Sequence, residues 1–319
     1  YEQEVENSDD ADEQRFDEVY VDWSTDDWFV SLGKRRTTWG PSLAFNPVNV
    51  VVPPKDPLSP DQATEGHPVF LVSFATDMTT LELIATRDYD RNWTSEYARW
   101  GVRAALILDE SDFNLYYFDG ESDKDDNDYN RLAGFSYSSN FLSDATLYLE
   151  IANFLHNDRN YYDENGNQLS KDESVNKAVL GSNITIDGNT SLLIEVYRNT
   201  AGYTEKEREN FFLKVDSIVS PVFDPTQASV LSDQEFGEMN QTYLLVSYRK
   251  SDILEKFGIN LQLLAAEDRS SIAELEFDYN MTDYYKLIFN LKAYNGDENS
   301  EFGNSEVNSK ATLTISASF

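Results

Sequence analysis

The sequence lacks cysteine, has few basic residues and contains no long apolar run, and each absence excludes a class of protein. Without cysteine there are no disulfides, no thiolate metal sites and no cysteine nucleophile. No stretch approaches the roughly 18–20 uninterrupted apolar residues of a membrane helix, which excludes a helical membrane protein. Only 25 Lys and Arg stand against 58 Asp and Glu, and the net charge of -33 argues against nucleic acid as a partner.

Histidine is scarce too, which leaves little for acid–base or metal chemistry. The two histidines are His67 and His156. His156 and Asp158 form a local pair of histidine and aspartate, but closeness in sequence does not provide catalytic geometry. Zinc, haem and nucleotide-binding motifs are absent. We therefore expect no enzymatic activity and no resident cofactor.

What the sequence does contain is strict alternation of apolar and polar residues in many segments of similar length. In the segment 311–319, every second residue from Ala311 to Phe319 is apolar and the residues between are Ser or Thr. Successive side chains of a β-strand point to opposite faces, so each such segment predicts a strand with one apolar face. About fifteen segments qualify, near residues 15–24, 27–38, 68–77, 79–89, 97–108, 112–119, 130–139, 145–155, 177–186, 190–199, 240–249, 256–266, 271–281, 284–294 and 309–319.

The lengths of these segments and of their connections indicate a transmembrane barrel. Many segments reach the roughly 9–11 residues that a tilted strand needs to cross a bilayer. Short turns alternate along the chain with long polar loops, a rhythm that a soluble β-sandwich has no reason to keep. The long loops are 39–67, 121–129, 156–176, 200–239 and 295–308. The sequence thus predicts an all-β fold, a single antiparallel up-and-down transmembrane β-barrel of about 14–18 strands over residues 1–319.

The last predicted strand carries a family resemblance. Leu313-Thr-Ile-Ser-Ala-Ser-Phe319 alternates strictly and ends on an aromatic residue, and in this the chain resembles Gram-negative outer-membrane porins. The resemblance implies an outer-membrane location among lipid and lipopolysaccharide, periplasmic short turns and extracellular long loops. It also implies that Phe319 is the signal for the barrel-insertion machinery, and homo-oligomers are common in that family. The segment 33–47 is similar to part of several large porin-like barrels but indicates no substrate.

This topology bears on the start of the chain. The strand at 15–24 would descend from an outer loop, whereas a whole barrel starts in the periplasm and has an even number of strands. We therefore expect one or more further N-terminal strands, the alternative being that two strands were merged or one was overlooked.

A channel needs a constriction, and the segment 39–68 is the candidate. Seven prolines stiffen it, and its run Val48-Asn-Val-Val-Val52 is unusually apolar for a loop in water. One interpretation folds the segment into the lumen, where it would narrow the pore. The other leaves it as an ordered loop that caps the barrel or contacts a neighbouring molecule.

The alternation also assigns charged residues to a polar, wet lumen, where rings of charge set selectivity. Some of them will pair across strands, with Glu276 and Asp278 opposite Lys286. The acidic excess indicates a mild preference for cations. The candidates for lining or constricting the pore are Arg35, Thr37, Trp39, Asn46, Glu18, Asp22, Glu82, Arg99, Arg103, Glu150, Glu195, Glu274, Glu276, Asp278, Lys286 and Lys292.

Two acidic clusters lie in the predicted outer loops, at 119–128 and 157–167. Carboxylates at this density could bind Ca²⁺, although the second cluster lacks EF-hand spacing. The plainer interpretation is that both are solvated acidic loops.

These features together predict a passive channel for small hydrophilic solutes or ions. Two alternatives share the same barrel. One is a scaffold that encloses or docks a partner protein, and the other is a surface receptor or adhesin that acts through its acidic loops. The width of the lumen distinguishes them, and it depends on the number of strands.

Overall fold

One large antiparallel sheet dominates the computed structural model of the protein. The structure describes residues 16–52, 55–59, 66–87, 98–120, 131–156, 159–171, 173–218, 238–282, 284–305 and 307–317. Its strands are β1 (Val19–Ser24), β2 (Trp28–Arg35), β3 (His67–Ala75), β4 (Thr79–Arg87), β5 (Ala98–Leu108), β6 (Ser111–Gly120), β7 (Leu132–Leu142), β8 (Ala145–Phe154), β9 (Tyr161–Tyr162), β10 (Gln168–Leu169), β11 (Val175–Asp187), β12 (Thr190–Asn199), β13 (Thr242–Ile253), β14 (Phe257–Ala266), β15 (Ser271–Asn280), β16 (Tyr285–Asn295) and β17 (Ser309–Ala317).

Within these residues the sheet has 15 strands, and they follow one another in space in the order of the chain. Only β9 and β10 stand apart, as a separate two-stranded hairpin. Every strand of the sheet runs antiparallel to its neighbours, as in the register Leu81↔Ala104 between β4 and β5. The predicted up-and-down β-barrel fold is confirmed, and each predicted strand corresponds to one strand of the sheet.

The two faces of the sheet differ in the way that the alternation predicts. On β4, Leu81 and Leu83 are about half exposed, whereas Glu82 and Ile84, which point to the opposite face, are buried. Leu115, Leu180 and many other large apolar side chains are exposed on the same outer face. An apolar outer face of this kind is the surface that a transmembrane barrel presents to lipid.

The connections fall into two classes, one at each end of the sheet. At one end the strands are joined by short turns, such as 109–110 between β5 and β6 and 143–144 between β7 and β8. Long connections lie at the other end, with one exception, the short link 267–270 between β14 and β15. No helix in the described part of the chain is long and apolar enough to cross a membrane.

A small outer cap occupies two of the segments predicted to be loops. It consists of the β9–β10 hairpin and the helix α1 (Glu205–Ile218). Thr204 and Glu207 occupy the positions of a capping box at the start of the helix, where the backbone N–H and hydroxyl of Thr204 both donate to the Glu207 carboxylate. Phe211 lies at the centre of the cap, and the cluster around it is Tyr161, Tyr162, Tyr203, Phe212, Val215 and Met239.

Candidate functional site

The candidate site is a stretch of the β2–β3 connection that folds against the inner face of the barrel wall. We call residues 39–52 the belt. At its two ends, Trp39, Val48 and Val51 are buried among side chains of β3 to β8. In its middle, Ala44 and Phe45 are buried among side chains of β8 to β15. The belt therefore lies across the inner face of much of the sheet.

Glu195 on β12 receives the middle of the belt. Three consecutive backbone N–H groups, those of Leu43, Ala44 and Phe45, donate to its carboxylate at 2.9, 3.2 and 2.9 Å. The Tyr148 hydroxyl donates a fourth hydrogen bond at 2.6 Å. Glu195 is fully buried, and a buried carboxylate is stable only when hydrogen bonds replace the lost water.

Glu150 on β8 forms a second attachment next to the first. The Ser42 N–H donates to it at 2.7 Å, and the Val48 N–H approaches at 3.5 Å. Gly40 passes so close that an added Cβ would lie 2.3 Å from the Glu150 carboxylate, and its φ of +85° favours glycine. Glu150, like Glu195, is fully buried, so the two carboxylates and the belt form one polar unit inside the wall.

Glu82 on β4 fixes the start of the belt. The Trp39 indole N–H donates to Glu82 at 2.7 Å, and Arg103 forms an ion pair with the other carboxylate oxygen at 3.4 Å. The indole ring packs against Tyr116 and lies edge-on to Phe118, with ring centroids 5.7 and 6.1 Å apart. Trp39 is completely buried although it belongs to a connection between strands.

Aromatic side chains hold the opposite part of the belt. The Phe45 ring stacks on Tyr197 with centroids 4.5 Å apart and lies 6.0 Å from Tyr243. Leu58 and Phe302, from two further outer segments, are buried in the same cluster. The sequence predicted an inner face that is polar throughout. The structure differs, because the loop end of this face carries apolar side chains that pack against the belt.

The other charged candidates lie mainly on the strands toward the two edges of the sheet, where they pair with one another. Glu274 forms an ion pair with Lys292 at 3.0 Å, and Asp278 forms one with Lys286 at 3.3 Å. Of the two carboxylates expected to pair with Lys286, Asp278 therefore forms the ion pair, whereas Glu276 lies opposite Asn290.

The same pairing occurs near the first edge. Arg35 bonds both oxygens of Asp22 at 2.8 and 2.9 Å and also reaches Ser31. Glu18 accepts the backbone N–H of Arg36 at 2.8 Å.

Three further candidates, Thr37, Asn46 and Arg99, are half-buried. The Asn46 side-chain amide donates to the Ser42 carbonyl inside the belt. Arg99 on β5 packs against Gly120, where an added Cβ would lie 2.5 Å from the Cγ of Arg99. Of the sixteen candidates, the structure brings together Trp39, Asn46, Glu82, Arg103, Glu150 and Glu195 at the belt.

Sequence reasoning missed two residues of this site, Tyr148 and Ser42. Tyr148 alternates onto the same face of β8 as Glu150, and that position is the signal that would have found it. A neighbouring glycine, Gly181, makes room for the tyrosine, because a Cβ there would lie 2.4 Å from its ring. Ser42 contributes its backbone N–H, for which a sequence gives no signal.

Several predicted features lie outside the described residues. Phe319 is one, and its role as an insertion signal stays a prediction. Residues 121–128 of the first acidic cluster are another, as is whatever precedes residue 16. In the second cluster, Asp163 accepts hydrogen bonds from Asn165 and Asn167, which lower its pKa. No group of three or more metal-ligating side chains occurs among the residues that the structure describes.

A polar network ties the outer connections together above the wall. Asp268, in the short link between β14 and β15, accepts hydrogen bonds from Ser270, from the Glu301 N–H and from the Asn240 side chain. Burial alone would raise the pKa of Asp268, but these hydrogen bonds outweigh it and lower the pKa below its usual value. Tyr243 joins the network through its hydroxyl, which donates to Glu301 at 2.5 Å.

Comparisons with known proteins bear on the fold of the chain. No protein-family model matches the sequence, and no curated protein does so either. Among solved structures, Wzi of Escherichia coli aligns with 94% of this chain and 70% of its own, with a TM-score of 0.51 and 13% identity. Its structure is described as a carbohydrate-binding β-barrel of the outer membrane, involved in group 1 capsule assembly.

The outer-membrane protein OmpT of Vibrio cholerae, folded in vitro, aligns with 79% of this chain and 86% of its own, with a TM-score of 0.35 and 10% identity. At such low identities the likeness concerns the fold alone. The chain shares the fold of an outer-membrane β-barrel.

Proposed function

We propose that this outer-membrane β-barrel is a constricted channel for the passive diffusion of small hydrophilic solutes or ions. The observation that carries the proposal is the attachment of the belt to the wall. Its anchors lie on β4, β8 and β12, whereas the inner-face residues Thr312 and Thr314 of β17 are exposed. A segment held against one side of a barrel narrows the lumen without filling it.

The wall at β16 and β17 carries mostly polar side chains on its inner face. On β17, Thr312 and Thr314 are exposed, and Thr312 lies opposite Asn290 on the inner face. The ion pairs Glu274–Lys292 and Asp278–Lys286 border these residues. Hydroxyl, amide and paired charged groups suit the passage of hydrated solutes.

Selectivity in this channel would be weak and directed toward cations. Most acidic residues on the inner face are paired with lysine or arginine, or hydrogen-bonded to the belt, which removes much of their effect on a passing ion. Glu276 lies between the two ion pairs and adds to an overall acidic excess. We therefore propose small solutes without a strong charge requirement as the main cargo.

The test is single-channel conductance of the purified protein in a planar bilayer, with a salt gradient to give the reversal potential. Steady open conductance with slight cation preference supports the channel. Folded protein that conducts nothing would contradict it and would favour the scaffold or receptor interpretations of the same barrel.

A further inference from the structure

Glu150 and Glu195 together supply hydrogen-bond acceptors for the backbone N–H groups of the belt, which strand pairing does not supply there. The belt contains no strand or helix, so no regular backbone pairing supplies acceptors for its N–H groups. The two carboxylates accept from five of these groups, on residues 42, 43, 44, 45 and 48. Three consecutive N–H groups that converge on one carboxylate resemble the backbone arrangements that proteins use to bind anions.

The apolar contacts of the belt cannot fix its position with the same precision. Hydrophobic attraction is non-directional, so the apolar contacts of Phe45 and Val48 define the backbone position of the belt less sharply than hydrogen bonds do. The hydrogen bonds to Glu195 are directional, and they join the belt to a strand about 150 residues away in the chain. Tyr148 holds the carboxylate itself, which leaves it little freedom to follow a shifted belt.

We propose that Glu195, assisted by Glu150, is a positioning residue that holds the belt against the wall and thereby sets the size limit of the channel. The part that concerns pore size rests on the proposed channel function. Without these carboxylates, the belt leaves its position, its buried residues become accessible, and larger solutes pass. The barrel wall itself does not depend on them, because its strands are joined by their own backbone hydrogen bonds.

The position of the belt can be measured independently of conductance. The chain has no cysteine, so Ala44→Cys introduces a single thiol at a buried site of the belt. Its rate of reaction with a small neutral methanethiosulfonate reagent reports exposure. We expect this rate to rise at least about a hundredfold when Glu195→Gln is added, beyond the roughly tenfold that loss of one nearby charge gives through ionisation of the thiol.

Matched variants complete the experiment. Glu276→Gln makes the same change on the inner face of β15 and should leave the rate at residue 44 unchanged. Glu195→Asp keeps the carboxylate and should restore much of the protection. Heat-modifiable migration on electrophoresis establishes that each variant contains a folded barrel, and Glu150→Gln serves in place of Glu195→Gln if the latter does not fold.

The pore limit is then read from the swelling of liposomes in sugars of increasing size, where Glu195→Gln should admit larger sugars than the parent protein. An unchanged rate at residue 44 in folded Glu195→Gln and Glu150→Gln protein overturns the positioning role, whatever the conductance. A faster rate in protein that never conducts supports the positioning role and overturns the channel. A faster rate with an unchanged sugar limit overturns the claim that these residues set pore size.

Discussion

Single glycines decide how closely the large inner side chains can approach the wall. At Gly101 an added Cβ would lie 2.5 Å from Cη2 of Trp39 and 2.6 Å from the Phe118 ring. The indole occupies the space that any other residue at 101 would fill. The depth of the belt thus depends on the smallest residue of β5 as well as on the largest residue of the belt.

The first prediction concerns this contact. Gly101→Ala should lower the free energy of unfolding by about 1–3 kcal/mol, because the methyl group overpacks a buried aromatic cluster. Unfolding in urea with the protein in lipid vesicles measures the change. The matched control is Gly188→Ala in a turn, where no atom lies within 4 Å of the new Cβ and the change should stay within about 0.5 kcal/mol. Equal effects for both variants would contradict the packing described.

The second prediction concerns the hydrogen bond between Trp39 and Glu82. Trp39→Phe keeps an aromatic ring but leaves a buried carboxylate oxygen without its donor, at a cost of about 1–3 kcal/mol on top of the lost ring volume. In the same urea assay, Trp39→Phe should cost less when Glu82→Gln is also present. Strict additivity of the two substitutions would show that the bond contributes nothing.

At the scale of elements, the wall could be predicted from the sequence, whereas the outer cap could not. Each wall strand alternates over about ten residues, which is long enough to show period two. β9 and β10 have two residues each, too few to show any period. Helix α1 was missed although Thr204 and Glu207 occupy the recognisable positions of a capping box, because its surroundings were interpreted as one long polar loop.

The attachment of the belt was also beyond prediction, although its parts were named. The proline-rich segment, Glu150 and Glu195 all stood among the candidates for the pore. Alternation places a residue on a face, but it gives no information about which distant segment that residue will contact. The donors to Glu195 are backbone N–H groups, and every residue except proline offers one.

The third prediction tests the outer cap as a separate unit. Phe211→Ala removes its fully buried central ring and should cost about 3–5 kcal/mol, enough to unfold the cap. Limited proteolysis should then cut within 205–218, while the barrel keeps its heat-modifiable migration. Leu213→Ala on the exposed side of the same helix is the control and should resist cleavage like the parent. Loss of the barrel in Phe211→Ala would show that cap and wall are one cooperative unit.

The fourth prediction is the acid dependence of the network around Asp268. Its pKa is lower in the folded protein than the usual 3.8, so its hydrogen bonds contribute stability above that value. This contribution is lost as the pH falls from there through the folded-state pKa. Amide hydrogen exchange at Ser270 and Glu301 should accelerate over that range, after correction for the intrinsic rate.

Asp268→Asn provides the comparison for this measurement. It removes the titrating carboxylate, so Ser270 and Glu301 should exchange faster already near neutral pH and show no further change in acid. A parent-like acid response in this variant would assign the titration to another group.

The whole molecule combines a strongly acidic chain with an inner wall whose charges are mostly paired. The net charge of -33 must therefore lie largely in the connections and at the rims. In the proposed channel, solutes in the lumen would meet the balanced pairs, whereas solutes outside would meet the acidic loops. The entry of anions should then be disfavoured more than their passage through the lumen.

The fifth prediction follows from the balance of charge along the lumen. Lys286→Gln and Lys292→Gln each free a carboxylate, of Asp278 and Glu274 respectively, and should shift the reversal potential toward greater cation preference. Glu276→Gln should shift it the opposite way. Raising the salt concentration should reduce all three shifts through screening. Shifts of the same sign in all three variants would place these residues outside the path of the ions.

The distance along the chain between the belt and its anchors has a consequence for the order of assembly. The belt leaves β2, but its acceptor Glu150 follows 108 residues after Ser42 and Glu195 follows 152 after Leu43. Contacts this remote form only after the intervening chain has been ordered. A barrel that grows from its first strands must therefore carry the belt undocked until β12 has joined. Pairing of the first strands and docking of the belt are then separate kinetic events, with docking the later one.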